Sequence, residues 1–192
     1  FIIHKDHEES LNKKLKNEKI KFPIVIKPIN EGSSLGVYIC NNKMQFIRNY
    51  KKLAIDYNKI IVEEYIPGKE IQVAVMGNKA LGAIELIPKR RFYDYTAKYS
   101  SAAKTRHIMP ARLSSKKYKE VLNLAKKAHD SLGCRGITRS DFRFFKNNFY
   151  LLETNTQPGM TKLSLVPEIA KHCGIKFVNL VEWIVKDASY NR

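Results

Sequence analysis

Two apolar runs, residues 70–76 and 80–87, flank Gly77-Asn78, and no other stretch constrains the fold as tightly. Glycine and asparagine both tolerate positive φ, so a pair of them between apolar runs fits a tight β-hairpin. The arrangement recurs farther along, where residues 136–145 and 149–155 flank Lys146-Asn147-Asn148. Strands joined by turns this short run antiparallel, because a parallel pair needs a long crossover. Further strands are expected over 22–27, closed by Pro28, and over 37–40 and 60–66. Helical spacing appears over 44–57, with Phe46, Tyr50 and Leu53 on one face. It returns after residue 115, where Tyr118, Val121, Leu122, Ala125, Ala128 and Leu132 share a face and Gly133 suits a C-cap. Two more helices are expected over 166–173 and 177–188, the last with a stripe of Phe177, Leu180, Val181 and Ile184 flanked by Trp183. The fold class is therefore α+β, with antiparallel hairpins and few βαβ crossovers. No GxGxxG or GxxxxGK[ST] occurs, so neither a Rossmann nor a P-loop nucleotide site is available.

Composition separates the remaining function classes only weakly. The 192 residues hold 35 basic and 18 acidic side chains, a formal charge of +17 that favours polyanionic partners. The lysines are scattered (Lys13, Lys14, Lys16, Lys19 and Lys21, then Lys116, Lys117 and Lys119), as on solvated faces, and no RNA-binding or zinc-finger motif accompanies them. Nucleic acid is thus not expected as a partner. Cys40, Cys134 and Cys173 are far apart, which argues against a disulfide framework and for a reducing cytoplasm. No run approaches the roughly 18 apolar residues of a membrane span. The charged segment 1–21 reads as a connector, helical near residues 11–16, and Phe1 in place of Met leads to the expectation of a longer parent polypeptide.

Five segments carry candidate chemistry. In the first, Lys27 ends a strand just before Asn30-Glu31-Gly32-Ser33-Ser34-Leu35-Gly36, so a cation and a loop of N–H groups and hydroxyls stand ready for phosphate oxygens. The second places Glu63 and Glu64 at an apolar strand end, with Ile66 beyond them and Glu70 after a turn; such carboxylates accept from an adenine amino group or ribose hydroxyls. In the third, Arg139 and Asp141 share one strand face and Glu153 and Asn155 share another. The expected hairpin brings the two sets together. Two carboxylates and an amide oxygen suit Mg²⁺, and Arg139 beside them can stabilise charge on a transferring phosphoryl group or a tetrahedral carbon. The fourth, residues 156–165, follows the metal strand and offers N–H groups and the Ser164 hydroxyl as an oxyanion hole. The fifth, within the aperiodic stretch 88–106, has the character of a lid, with Lys98 able to reach phosphate and Tyr99 able to complete a network on closure.

In this order the segments IVIKPINEGSSLGV, VEEYIPGKE, FYDYTAKY, ITRSDFR and LLETNTQPGMTKLSLVP resemble the D-alanine–D-alanine ligases of the ATP-grasp superfamily. The resemblance implies two α+β subdomains, residues 22–88 and 89–192 with a lid at 89–106, that grip ATP between antiparallel sheets. It implies an ATP-dependent ligase that joins two D-alanines through a D-alanyl phosphate for peptidoglycan. Lys27 and Lys98 would contact phosphates. Glu63 would read the adenine amino group, the main chain near Glu64 and Ile66 its ring edge, and Glu70 the ribose. Asp141, Glu153 and Asn155 would hold two Mg²⁺ ions, or Mn²⁺ in their place. Arg139 and the Gly159 N–H would stabilise the tetrahedral intermediate, Ser33 and Tyr99 would link loop to lid, and Ser164 with Leu165 would bind the second D-alanine.

Two departures qualify the resemblance. Thr138 stands where many members have glycine. Members also carry a further N-terminal domain that supplies a glutamate for the first D-alanine and a lysine for ATP, and nothing before Phe22 matches it. That domain is therefore an expected partner, and a ligation-incompetent Mg-ATP-binding remnant or another ATP-grasp carboxylate–amine ligase are the competing readings. Members are commonly homodimers, so a homodimer is compatible with the resemblance.

Overall fold

The computed structural model describes residues 1–5, 11–32, 34–88, 105–161 and 163–189. They form two compact units, divided after Ile66.

The first unit is built on a four-stranded antiparallel sheet in the order β1-β4-β2-β3: β1 (Ile2–His4), β2 (Ile24–Pro28), β3 (Tyr38–Cys40) and β4 (Lys59–Glu64). Two helices accompany it, α1 (Leu11–Asn17) and α2 (Lys43–Asp56). Helix α2 starts where Asn42 Oδ1 accepts from the Gln45 N–H, and Gln45 Oε1 reaches back to the Asn41 N–H. This reciprocal pairing satisfies donors that a helix start leaves without partners. Alternation along β2 buries Ile24 and Ile26 with Phe46, Tyr50 and Leu53 of α2. The segment expected as a connector belongs to this core. Ile3 and Leu11 are buried in it, β1 pairs with β4, and Phe1 and Val62 exchange main-chain hydrogen bonds. Buried Ile3 and Leu11, with Phe1, Leu15 and Ile20 packed against the same core, anchor the otherwise charged segment, which composition alone conceals.

The second unit contains β5 (Lys69–Met76), β6 (Lys79–Ile87), β7 (Arg106–Ile108), β8 (Ile137–Phe145) and β9 (Asn148–Asn155), in the order β7-β6-β5-β8-β9, all antiparallel. Its helices are α3 (Ser115–Ser131), α4 (Leu165–His172) and α5 (Phe177–Asp187). The expected division at residue 88 is therefore wrong. The β5–β6 hairpin belongs with residues 105–189, because β5 pairs with β8 along its whole length, from Lys69↔Phe144 to Met76↔Ile137. Its continuous burial from Ile71 to Val75 marks a central strand covered on both faces. Gly68 starts it at φ +102°, and a β-carbon there would lie 2.3 Å from the Phe144 carbonyl oxygen. Only glycine fits.

One face of this sheet supplies Ile71, Val73, Val75, Ala83 and Phe142 to a core with Val121 and Ala125 of α3. Glu85 is buried on the same face. Arg112 holds it with Nη2 to Oε1 at 2.7 Å and with Nε and the main-chain N–H to Oε2, both at 3.1 Å. Burial alone would raise the Glu85 carboxyl, but these bonds, aided by Lys69, outweigh it and hold the group below its usual range.

Helix α3 departs from its expected face at the C-terminal end. Leu132 is 62% exposed, and the buried line runs Val121, Ala125, His129. His129 Nδ1 lies 2.8 Å from the Thr138 hydroxyl, so the hydrogen bond makes this polar pair acceptable inside. The stripe expected on α5 is mostly at the surface: Leu180 is fully buried, whereas Phe177 is 50% exposed and Val181 also lies at the surface. The β8–β9 turn is two residues long rather than three. Lys146 and Asn147 both take positive φ, 47° and 65°, as a type I′ turn requires.

Candidate functional site

The second sheet places most of the candidate charged residues of β8 and β9 on the face opposite the α3 core. Period-two alternation puts Arg139, Asp141 and Arg143 of β8 on this face, while Ser140 and Phe142 point the other way. Residues directly opposite one another on paired strands share a face, with Cβ atoms about 4.5–5.5 Å apart. The register pairs Asp141 with Glu153 and Arg139 with Asn155, so the four residues singled out in the two sequence segments converge. Between Asp141 and Phe142 the register shifts. Glu153 then Leu151 oppose these consecutive residues, leaving Leu152 as the extra residue of a bulge. The bulge lets β9 present Glu153 and Asn155 to one face while Leu151 pairs with Phe142.

Ion pairs organise this face. Arg139 donates to Asp141 through Nε to Oδ1 at 2.7 Å and Nη2 to Oδ2 at 3.0 Å, with both side chains largely buried. Arg143 pairs with Glu70 at 3.2 Å across β5–β8. Asn155 Oδ1 accepts from the Gln157 N–H at 2.9 Å, fixing where the chain leaves β9. The Ser164 hydroxyl accepts from the Thr161 N–H at 2.9 Å and sits 2.9 Å from the Thr161 hydroxyl. A β-carbon on Gly159 would come within 2.9 Å of Ser164 Oγ, so Gly159 and Ser164 are drawn together only because position 159 has no side chain. Leu165 opens α4 with a buried side chain, which leaves only its main chain available to a ligand.

Two residues on this side of the sheet escaped the sequence reading. Gln72 of β5 is Asp141's partner on the neighbouring strand and is 1% exposed, with its Oε1 buried and without a hydrogen-bond partner among the described residues. A glutamine inside an apolar run was the available signal. His107 of β7 pairs with Glu168 of α4, Nδ1 to Oε2 at 2.7 Å, and so ties the strand after residue 105 to the helix that Ser164 begins.

Hard oxygen donors with no thiol or imidazole among them fit Mg²⁺. Asp141 of β8 and Glu153 and Asn155 of β9 supply two carboxylates and an amide carbonyl on one face, next to a buried carbonyl oxygen that lacks a donor among the described residues. Among the described residues no three His, Cys, Asp or Glu side chains gather as a metal-holding group.

The first unit holds Lys27 and Glu63 on one sheet face, joined at 2.9 Å. Glu64, next along β4, faces the other way and is exposed. Glu70 lies in the second unit, whereas Glu63, Glu64 and Ile66 lie in the first. Ser33, Lys98 and Tyr99 fall outside the described residues. Among the described residues no helix is long and apolar enough to cross a membrane.

Comparison with known proteins identifies the family. The family model described as "D-ala D-ala ligase C-terminus" matches residues 1–186. A D-alanine–D-alanine ligase of Pelagibacter ubique (strain HTCC1062) is 62% identical over 179 residues, covering 93% of this chain and 58% of that protein. The crystal structure of the D-alanine–D-alanine ligase from Bacillus anthracis complexed with ATP superposes with a TM-score of 0.80 at 29% identity, over 97% of this chain and 59% of that one. The VanG D-Ala:D-Ser ligase from Enterococcus faecalis gives 0.82 at 28% identity, over 96% and 55%. The chain thus spans somewhat more than half the length of these relatives. On the family match and the fold together, the chain belongs to the D-Ala–D-Ala ligase C-terminal family.

Proposed function

We propose that this chain is the Mg-ATP-binding and acyl-transfer portion of a cytoplasmic ligase that joins two D-alanines for peptidoglycan precursor synthesis. The observation that carries the proposal is the register of β8 on β9, which sets Arg139 and Asp141 against Asn155 and Glu153 on one face. Family membership supports the choice of reaction.

In this reading a D-alanine carboxylate oxygen attacks the γ-phosphorus of ATP, the bond to the β–γ bridging oxygen breaks, and ADP leaves. The amine of a second D-alanine then attacks the acyl carbon, and phosphate leaves with the electrons of the C–O bond as the amine loses its proton. Asp141, Glu153 and Asn155 hold two Mg²⁺ ions, or Mn²⁺ in their place. When bound, these ions neutralise charge on the phosphate oxygens. Arg139, oriented by Asp141, and the Gly159 N–H face the negative charge that develops on the tetrahedral carbon's oxygen. Ser164, fixed by Thr161, and the Leu165 main chain receive the second D-alanine. Glu63 reads the adenine amino group, the main chain near Glu64 and Ile66 the ring edge, and Glu70 the ribose. Lys27 and Lys98 meet phosphates, and Ser33 with Tyr99 joins loop to lid.

The relatives' extra length motivates a further element: a domain outside this chain completes the first D-alanine site. The decisive experiment follows dipeptide and phosphate release by the 192-residue chain, with and without the N-terminal domain of a relative added in trans. Mg-dependent ATP binding by the chain alone, with ligation only after addition, is expected. No nucleotide binding would overturn the proposal, and dipeptide formation by the chain alone would overturn the need for the second domain.

A further inference from the structure

We infer that Gln72 is a positioning residue of the cation site, its side-chain oxygen accepting a hydrogen bond from water bound to the ion that Asp141 helps to hold; this rests on the metal role proposed above. Three observations converge. Gln72 is 1% exposed, and its Oε1 is buried without a donor among the described residues. It occupies β5 directly opposite Asp141 of β8, and Asp141 is directly opposite Glu153 of β9, so Gln72, Asp141 and Glu153 form one row across three strands on one face. Its partner on the other side, Ile84 of β6, has no side-chain donor.

A buried carbonyl oxygen without a donor is costly, and native structures seldom retain one without a reason. The nearby cations are committed elsewhere in this row: Arg139 donates twice to Asp141, and Arg143 pairs with Glu70. Among the described residues none supplies the donor, and a ligand entering the site can. Mg²⁺ keeps several of its waters when carboxylates bind it, and each such water is a strong donor. Groups that hold metal-bound water or orient the ligating carboxylates are a regular second layer of such sites. A neutral carboxamide suits this place better than a third acid, because it accepts from the water without adding another buried negative charge beside Asp141.

The test uses Gln72→Met, which keeps the length of the side chain and removes its oxygen, with Gln72→Leu as a second apolar variant. Gln72→Glu restores an acceptor, and Glu153→Gln serves as the metal-ligand control at an exposed position. The 192-residue chain is titrated calorimetrically with the non-hydrolysable analogue adenylyl imidodiphosphate, once in Mn²⁺ and once in EDTA, and the ratio of the two affinities isolates the ion. Each apolar variant is expected to lower that ratio about 10-fold or more, leave the affinity in EDTA unchanged, and melt in EDTA no lower than the parent. Gln72→Glu is expected to recover the ratio. If the apolar variants keep the parental ratio while Glu153→Gln loses it, the role of Gln72 is refuted and the metal site stands. A melting temperature lowered in EDTA with the ratio intact makes Gln72 a packing residue and refutes the role equally. If the parent binds no more tightly in Mn²⁺, or Glu153→Gln keeps the ratio, the metal reading itself falls.

Discussion

Breaking the Arg139–Asp141 pair tests the centre of the site most directly. Arg139 grips both Asp141 oxygens at 2.7 and 3.0 Å, and the two side chains are 14% and 9% exposed. Charge centres about 4 Å apart at an effective dielectric constant near 20 attract by about 4 kcal/mol. Removing one partner of a buried pair costs about 3–5 kcal/mol, because the other charge stays behind without compensation. For a chain of this size each kcal/mol shifts melting by about 2–4 °C, so Arg139→Met should lower Tm by about 6–20 °C. Asp141→Asn should do nearly the same, and the double variant should recover part of the loss, since the coupling is shared. Arg139→Met also releases both Asp141 oxygens, so added Mn²⁺ should raise its melting temperature more than it raises the parent's. Calorimetric melts of the four proteins, with and without Mn²⁺, give both answers. A coupling energy below about 1 kcal/mol would place the pair among surface ion pairs and refute the argument.

Three more outcomes follow from other contacts. Gly159→Ala places a methyl group 2.9 Å from Ser164 Oγ; displacing that hydroxyl by about 1 Å should slow ligation on the order of 10²-fold, measured as phosphate release by a ligase containing this chain, with little change in melting. Gly68→Ala meets both φ +102° and the Phe144 carbonyl at 2.3 Å, so it should cost at least about 1–3 kcal/mol in backbone strain alone, read from urea denaturation. Burial holds the His129 imidazole below its ordinary value of 6.5, and Arg112 holds Glu85 below 4.5. In both cases the unfolded chain binds protons first as pH falls, so stability is full at neutral pH, declines below about 6.5 through His129, and declines again below about 4.5 through Glu85. Urea midpoints against pH should show both declines, and His129→Leu should remove only the upper one.

The convergence of the candidate site residues was legible because their spacing obeys the same period as the strands that carry them. Arg139 with Asp141, and Glu153 with Asn155, are spaced by two, and a turn of two positive-φ residues fixes which pair meets which. Long-range pairing was not legible. Nothing local says whether the β5–β6 hairpin joins the strands before it or after it, and the answer lies in the match of β5 to β8 some seventy residues away. Gln72 and His129 were missed because each interrupts an apolar pattern, and only the partner, or the lack of one, distinguishes such a residue from a surface residue. Ile3 and Leu11 were missed for the converse reason, as isolated apolar positions in a charged segment. Phe177 and Leu132 show the reverse error, since helical spacing marks a face without saying what covers it.

The row of oxygens crosses strands of unequal restraint. Gln72 and Asp141 ride on β5 and β8, each hydrogen-bonded on both sides, whereas Glu153 and Asn155 ride on β9, the last strand of the described sheet, held on one side and stepped by a bulge at its middle. A cation there would draw its ligands from strands paired on both sides and from one paired on a single side, so substitutions that loosen β9 should weaken its hold before any that touch β5 or β8.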